Sequence, residues 1–520
     1  MADGKLDLVI VGGGISGACI LWDATLRGAN VLLLEKNDFA SGTTQATSKL
    51  IHGGLRYLKN LEFGLVRESL RERRLLARLA PHALKPMPFL HPIYTGAKPG
   101  RLLMAIALWL YDLLSFDRNS GVPQHLHLPR HKWLSRSKAL QEEPGLNPAG
   151  LLGAYVYYDY QNMHPERLCS DFIFSAVERG AQAKNYVEVT SIRFDSKEQC
   201  YFVAAKDRLT NEVFQWKARS VVNAAGPWAD IVDRSAAEST TRKIIRSMGI
   251  HLVTRKIAGD RAVALHRKDG THFFIIPWRN HSLIGTTDCV FEGSPDQFKI
   301  PEEQIRGLIA DVSGGLATDL KREDVEVVYG GLRPLVEDAK SLEGGSYSAS
   351  RKTEIEAHPD RPGFFTVLGG KYTTSRELAR KAVDSICSYL TGSWLKTRTE
   401  NTPLRTGDYE SQLLLKHKLL LEKKYDRTRI ETLVNRYGLL AERILARHDR
   451  GEPIVLSNGE ICYPEEIGYI LENEGVRRVD DLVLRRTGLA TAGDAVRHRF
   501  SEVKGKIRFL PEVRRAAFAG

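Results

Sequence analysis

The chain has 520 residues, 42% of them hydrophobic and 27% charged, a balance that excludes a disordered or fibrous protein and leaves room for about two to four globular domains. Lys and Arg outnumber Asp and Glu by 75 to 63, a formal charge of +12, which favours phosphorylated metabolites or acidic lipid headgroups as partners; with no zinc-finger spacing and no RNP-type aromatic motif, nucleic acid is not expected. The six cysteines, Cys19, Cys169, Cys200, Cys289, Cys387 and Cys462, are scattered and form no CxxC pair, so buried thiols in a reducing compartment and no metal site are expected.

Leu6 to Val11 reads as a buried strand running straight into Gly12-Gly13-Gly14-Ile15-Ser16-Gly17. No basic segment followed by an apolar one precedes it, so no cleaved signal peptide is expected. A second apolar run, Val31 to Leu34, ends on Glu35. Strand, glycine turn, helix, strand and acid in that order suit an ADP-bearing dinucleotide. Gly12 allows the tight turn, Gly14 lets backbone approach the pyrophosphate, Gly17 lets the helix lie on the strand, and Glu35 reaches the ribose hydroxyls. The fingerprint alone leaves FAD and NAD open.

Leu65 to Leu79 carries Leu65, Leu70, Leu75, Leu76 and Leu79 on one helical face with arginines elsewhere, an amphipathic surface helix. Prolines recur from Pro86 to Pro99 and from Pro123 to Pro148, which predicts connecting segments and an insertion. Between them, Leu102 to Leu114 is apolar but too short to span a bilayer, which takes about 20 residues. Flanked by Lys98, Arg101 and Arg118 and carrying Trp109 and Tyr111, it reads either as a lipid-interface helix or as a buried helix at a domain boundary. On the first reading, changing Leu108 and Trp109 to Asp would release the protein from membranes.

Ala154 to Tyr160 is β-rich, and Glu166 to Glu178 resumes a helical period that Gly180 ends. Tyr186 to Phe194, Tyr201 to Ala205 and Val213 to Trp216 predict a small antiparallel sheet leading into the buried strand Ser220 to Asn223 and a Gly226-Pro227 turn. Ile244 to Val328 is mostly strand, a second sheet able to roof a pocket. After Arg376 the chain turns helical, and from about residue 400 a cationic helical unit is expected, with helices at Leu413 to Lys424, Ile430 to Arg436 and Ala441 to Arg447.

Three further segments carry chemistry. In Ser48 to Tyr57 the paired Gly53 and Gly54 permit close approach to a planar ring, while Arg56 and Tyr57 offer a guanidinium fork and a hydroxyl suited to phosphate. Phe273 to Asp288 is a hairpin whose end bears Thr286 and Thr287. In Phe364 to Arg376 a strand ends at Gly369-Gly370, and Thr373 or Thr374 caps a helix, putting a positive helix end and Lys371 where an anionic ring can be held. Two glycine turns so far apart in the chain fit an extended FAD better than NAD.

Together, Val9 to Gly17, Ser48 to Tyr57, Val222 to Trp228, Ile276 to Asp288, Gly330 to Leu335 and Gly369 to Arg376 resemble, in order, the motifs of the FAD-dependent glycerol-3-phosphate dehydrogenases, members of the D-amino-acid-oxidase-like flavoproteins. Pro453 to Thr487 is more loosely similar to that family's helical C-terminal domain. The resemblance implies a mixed α/β and α+β fold: a Rossmann-like FAD-binding domain, an antiparallel β-sheet substrate domain and a helical C-terminal domain. The expected boundaries are 1–80 for the first FAD-binding segment, 81–150 for a connecting segment with the interface helix, and 151–243 for the second FAD-binding segment. Residues 244–328 are expected to form the substrate sheet, 329–395 to return to the FAD domain, and 396–520 to form the cap.

The implied reaction is oxidation of sn-glycerol 3-phosphate to dihydroxyacetone phosphate by hydride transfer to flavin N5, with electrons passed to membrane quinone; the alternative is a soluble α-glycerophosphate oxidase that reduces oxygen to peroxide. More distant alternatives are an amino-acid oxidase and a non-catalytic flavoprotein. By motif, Arg56, Tyr57, Thr286, Arg333 and Arg351 bind substrate, His251 accepts the hydroxyl proton, and Arg333 and Lys371 complete the catalytic group, Lys371 beside flavin N1 and O2. Contacts to non-covalent FAD are assigned to Gly12, Gly14, Gly17, Glu35, Lys36, Ser48, Lys49, Leu50, His52, Gly54, Val187, Ala225, Gly226, Gly370, Lys371, Thr373 and Thr374. This chain has His164-Pro165-Glu166-Arg167-Leu168 where many members read Asp-Ala-Arg-Leu, and Gly-Ile-His rather than Gly-Ser-His around His251; Arg167 receives no catalytic role. The implied location is cytoplasmic, held peripherally to the inner face of the cytoplasmic membrane through anionic lipid, with a homodimer as the assembly to test.

Overall fold

The computed structural model describes residues 5–236, 244–267, 271–336, 353–390, 394–447, 449, 452–455 and 460–488. It opens with strand β1 (Leu6–Val11), helix α1 (Ile15–Leu26) and strand β2 (Val31–Leu34). Helix α2 (Phe63–Leu79), strand β3 (Leu84–Tyr94), helix α3 (Arg101–Leu114), strand β4 (Leu151–Asn162) and helix α4 (Pro165–Val177) follow. Next come the strands β5 (Val213–Asn223), β6 (Ile244–Arg255), β7 (Ala262–His266), β8 (His272–Trp278), β9 (His281–Gly285), β10 (Val325–Val336) and β11 (Phe364–Leu368). Helix α5 (Ser375–Leu390) leads to the C-terminal helices α6 (Tyr409–Glu422), α7 (Arg427–Tyr437), α8 (Leu440–Leu445) and α9 (Pro464–Asn473).

The first sheet is a parallel stack in the order β11, β5, β1, β2, Gln182–Lys184, with Glu354–Ala357 antiparallel at its edge. Its central segments, Leu8 to Val11, Val31 to Leu34 and Val221 to Val222, are apolar and buried because both faces are covered. The antiparallel pair Val187–Asp195 and Cys200–Asp207 joins it through the first half of β5, so β5 begins in a small meander and ends in the parallel sheet. Helix α1 is buried almost all round, with Ala18, Ile20, Leu21 and Trp22 inaccessible, since it lies between this sheet and the helices α4 and α5.

The second sheet has ten strands. Its order is Cys289–Phe291, β6, β9, β8, β7, β3, β4, Leu50–Ile51, with β10 along the other edge of β6 and Lys132–Ser135 on β4. The C-terminal helices have their own core around Leu433, Tyr437, Ile444 and Ile470.

Two expectations from the sequence change here. The proline-rich stretch from Pro86 to Tyr94 is not a connector but most of β3, paired with β4 along its length. Helix α2 is not a surface helix with its arginines outside: Glu72 and Arg73 are buried. Arg73 pairs with Asp159 of β4, and Glu72 takes two bonds from Arg376 at 2.5 and 2.8 Å. Each buried charge is matched, as burial demands.

Candidate active site

The glycine turn meets the end of β5 at the carboxyl edge of the parallel sheet. Gly12 has φ +113°, and a Cβ there would lie 2.6 Å from the Ala224 carbonyl oxygen; one at Gly17 would lie 1.9 Å from the Gly12 oxygen. Neither position tolerates a side chain, which is what a helix packed hard onto a strand requires. Gly14 is the extended residue before α1, whose Ile15 amide donates to Thr44 Oγ1 at 3.0 Å. At the tip of β2 the Glu35 carboxylate accepts from the amides of Gly13 (2.7 Å) and Asn37 (2.8 Å). Burial pushes its carboxyl pKa up, and these amides pull it back.

Around this turn, the Val187 amide donates to the Glu35 carbonyl at 2.8 Å, and the Ala225 amide to Asn223 Oδ1 at 3.1 Å just before Gly226. The side chains of Lys36 and Lys49 are both held in ion pairs. Lys36 binds Asp296 at 2.7 Å, and Lys49 is buried on Glu166.

The loop from Ser48 to Tyr57 joins the two sheets. Leu50 pairs with Gln161 of β4, the His52 amide donates to Thr373 Oγ1 at 3.3 Å, and the Gly53 amide donates to Tyr111 Oη at 2.9 Å. Gly54 has φ +75° and is followed by a turn of 3₁₀ helix, Leu55–Asn60. There Arg56 lies over the Tyr57 ring, 4.9 Å from its centre, and donates to the Tyr57 hydroxyl at 3.2 Å. Lys371, just beyond Gly370, places Nζ 3.8 Å from the same ring centre and 3.1 Å from Ser69 Oγ. The Thr374 amide donates to the Lys371 carbonyl at 3.2 Å as the chain enters α5. Arg56, Tyr57 and Lys371 thus form one cationic cluster drawn from both ends of the chain.

A second cluster stands on the face of the ten-stranded sheet. Register sets Arg333 beside Ser247, Gly331 beside Gly249, and Tyr329 beside His251, with Gly285 on the other side of His251. Arg333 donates to Thr286 Oγ1 at 2.6 Å and to Ser247 Oγ at 3.2 Å. A Cβ at Gly249 would be 2.0 Å from the Arg333 guanidinium, and one at Gly285 2.3 Å from the His251 ring. These glycines make a floor on which Arg333 and His251 lie flat. His251 is 1% exposed. Its ring stacks on Tyr329 at 5.0 Å, and Nε2 sits 2.9 Å from Ser48 Oγ. Nδ1 is buried with no hydrogen-bond partner among the described residues. Burial, then Arg333 and Lys49, hold its pKa well below the usual histidine range, so it is a neutral imidazole at pH 7.

The structure therefore draws His251, Ser48, Thr286 and Arg333 into one cluster, and Arg56, Tyr57, Lys371, His52 and Thr373 into another. Arg351 lies outside the described residues. Sequence reading missed Ser247 and Tyr329, although both alternate with assigned residues on β6 and β10. It also missed the Tyr111 and Asp159 pair that fixes the Gly53 amide, whose members stand far apart in the chain.

A dinucleotide turn with an acid at the second strand's tip, beside a sheet face bearing arginine and a buried neutral imidazole, defines a dinucleotide-dependent oxidoreductase. The chain belongs to the family described as FAD dependent oxidoreductase, whose profile matches residues 7–376, and the one described as C-terminal domain of alpha-glycerophosphate oxidase matches residues 397–505. Its cofactor is accordingly FAD. A glycerol-3-phosphate dehydrogenase from a Synechocystis species is 34% identical over 502 residues, 93% of this chain and 89% of the relative. An aerobic glycerol-3-phosphate dehydrogenase from Staphylococcus saprophyticus is 30% identical over 94% of this chain and 87% of its own. The crystal structure of the Bacillus halodurans glycerol-3-phosphate dehydrogenase complexed with FAD superposes with a TM-score of 0.73 at 26% identity, covering 99% of this chain and 94% of that one.

Proposed function

We propose that the protein oxidises sn-glycerol 3-phosphate to dihydroxyacetone phosphate and passes the electrons to a membrane quinone. The observation that carries this reading is the pairing, on one glycine-floored sheet face, of Arg333 with a buried neutral His251. The names of relatives aligned over more than nine tenths of the chain support the substrate. FAD, when bound, supplies the hydride acceptor.

The chain's own part is binding, orientation and proton transfer. Arg56, Tyr57, Thr286, Arg333 and Arg351 are assigned to the substrate, mainly to its phosphate, because guanidinium forks match phosphate oxygens. His251 takes the C2 hydroxyl proton as the carbonyl forms. An arriving phosphate dianion offsets the Arg333 charge that depresses the imidazole, so the base strengthens as substrate binds. Lys371 and the positive end of α5 are assigned to the N1 and O2 edge of the flavin, and Glu35 to its adenosine ribose.

The acceptor and the location rest on α3. Its inner face, Met104, Leu108 and Tyr111, is buried, whereas Leu102, Leu103, Ile106, Trp109 and Leu113 are exposed, as is Phe116 beyond its end. Arg101 and Lys98 stand at its start. An apolar face of this size flanked by cations supports docking on an anionic lipid surface. Among the described residues no helix is long and apolar enough to cross a membrane.

Anaerobic titration of the purified holoenzyme with glycerol 3-phosphate tests the reaction. The flavin absorbance should bleach stoichiometrically, and an unbleached flavin would refute the substrate. Turnover with ubiquinone or menaquinone against peroxide release then separates the membrane enzyme from an oxidase.

A further inference from the structure

Three histidines outside the assigned site form a row. His91, His266 and His272 sit on the neighbouring strands β3, β7 and β8. Register pairs His266 with His272, and Phe274, two residues further, with Gly285, which itself faces His251. Residues two apart on a strand share a face. The row therefore stands on the sheet face that carries His251, two to four strand spacings or roughly 10–20 Å across from it.

The rings meet edge to face: His91 to His266 at 5.1 Å and 84°, His266 to His272 at 6.5 Å and 61°, and His272 to Phe274 at 5.2 Å and 75°. At the outer end, His91 and His266 line a cleft of about 600 Å³ together with Tyr94, Lys98 and Asn147. At the inner end, the charged and titratable groups that bear on His272 are Arg56, His266, His91 and His52. Two of these, Arg56 and His52, belong to the loop of the cationic cluster, and Arg56 weighs most among them. His272 is half-buried and links the Arg56 end of the site to the outer cleft.

We propose that His272 is a further substrate-binding residue, which joins Arg56 as an imidazolium when the substrate's phosphate dianion arrives, with His266 and His91 packed edge to face between it and the outer cleft. The proposal rests on the glycerol 3-phosphate reading above. Without ligand, burial and the Arg56 charge hold His272 well below the ordinary histidine range, hence neutral. A dianion set against Arg56 reverses that balance, because an opposite charge favours the protonated ring. One proton is then taken up from solvent on binding and returned on product release. Only an N–H bond is made and broken, and no electrons move.

The test uses the holoenzyme and two variants, His272→Phe, which keeps the edge-to-face packing on Phe274, and His272→Gln. Calorimetry with inorganic phosphate in two buffers of different ionisation heat at pH 7 counts protons. The wild type should take up a substantial fraction of a proton more than either variant, because the ionisation of inorganic phosphate and of His251 is common to all three. Because a hydrogen bond to a charged group contributes about 1.5–3 kcal/mol, KM for glycerol 3-phosphate should rise at least about tenfold in both variants at pH 6.5, with kcat within roughly twofold. The difference should shrink as pH rises and the wild-type imidazolium is lost as well. Equal proton counts and equal KM in the wild type and the variants would overturn the proposal, and so would a fall in kcat with KM unchanged. The phosphate measurement needs no turnover, so failed bleaching by glycerol 3-phosphate strikes the functional reading, whereas unchanged phosphate binding strikes His272.

Discussion

Arg333 and His251 are coupled through charge as well as position, and the coupling has a definite sign. The guanidinium lies across Gly249 toward the imidazole and lowers the His251 pKa, second only to burial. A neutral base is available only above its own pKa, so the depression keeps His251 competent below pH 6.5, and the acid limb of kcat/KM that belongs to His251 should lie below pH 6.5. Arg333→Gln removes that charge, the His251 pKa rises, and the acid limb of the profile should move to higher pH. The same change deletes a charge-assisted phosphate contact of about 1.5–3 kcal/mol, so kcat/KM should drop roughly 10- to 100-fold. A pH profile that stays in place while activity falls would separate Arg333 from the base and leave it a binding role alone. Much of this cluster is readable in sequence, because Gly-x-His and Gly-Gly-x-Arg each sit on one strand. Their juxtaposition is not, because it depends on β6 and β10 being neighbours in register.

Among the elements, α3 divides two readings that periodicity could not separate: its inner face is buried in the core, and its exposed face is the one proposed to meet lipid. Leu108 is 1% exposed whereas Trp109 is 60% exposed, so replacing both by Asp would damage the core as well as the outer face. The discriminating change is Leu103→Glu with Trp109→Glu, both on the exposed side. Each buried apolar side chain contributes about 1.5–3 kcal/mol, so losing two should weaken binding to anionic vesicles at least ~100-fold. Flavin content and dye-linked activity should be unchanged. Vesicle flotation measures this, and wild-type binding by the double variant would move the docking face elsewhere. Strand β3 shows why some elements resist reading. Pro86, Pro88 and Pro92 fall at even spacings, so all three missing N–H donors turn to one edge of the strand. On the side away from β4, only Phe89 and Leu90 are paired with β7, and the ladder to β4 is left whole. A proline count signals a connector; proline parity permits a central strand. The histidine row is hidden for the same reason, since it exists only once β3, β7 and β8 are laid side by side.

For the molecule as a whole, the C-terminal helices are fastened to the cofactor end of the FAD domain by buried ion pairs. Asp38, three residues beyond Glu35, binds Arg485 at 2.5 Å and Arg486 at 2.8 Å. Arg167, which carries no assigned catalytic role, makes a two-pronged contact with Glu474 at 2.7 and 3.0 Å, and Arg405 joins Glu474 at 2.6 Å and Asp171 at 3.3 Å. Burial alone would raise these carboxyl pKa values, but the arginines win. Asp171 is held at about 2, and Asp38 and Glu474 below their usual range. Groups with depressed folded-state pKa values stabilise the fold fully above their unfolded values, near 3.9 for Asp and 4.3 for Glu. That contribution is lost as pH falls toward the folded ones. Undocking of the C-terminal helices should therefore set in below about pH 4 and run toward pH 2, and because Asp38 shares its loop with Glu35, FAD should be released over the same interval. Asp38→Asn mimics the acid limit at neutral pH. It takes from Arg486 its carboxylate and leaves Arg485 on Asp481 alone, a loss of about 3–5 kcal/mol when one partner of a buried pair is removed, and should lower both the urea midpoint and the flavin retained on gel filtration. If the variant kept its urea midpoint and lost no flavin, the helices would be held by their apolar contacts, and the arginines would only cover the seam.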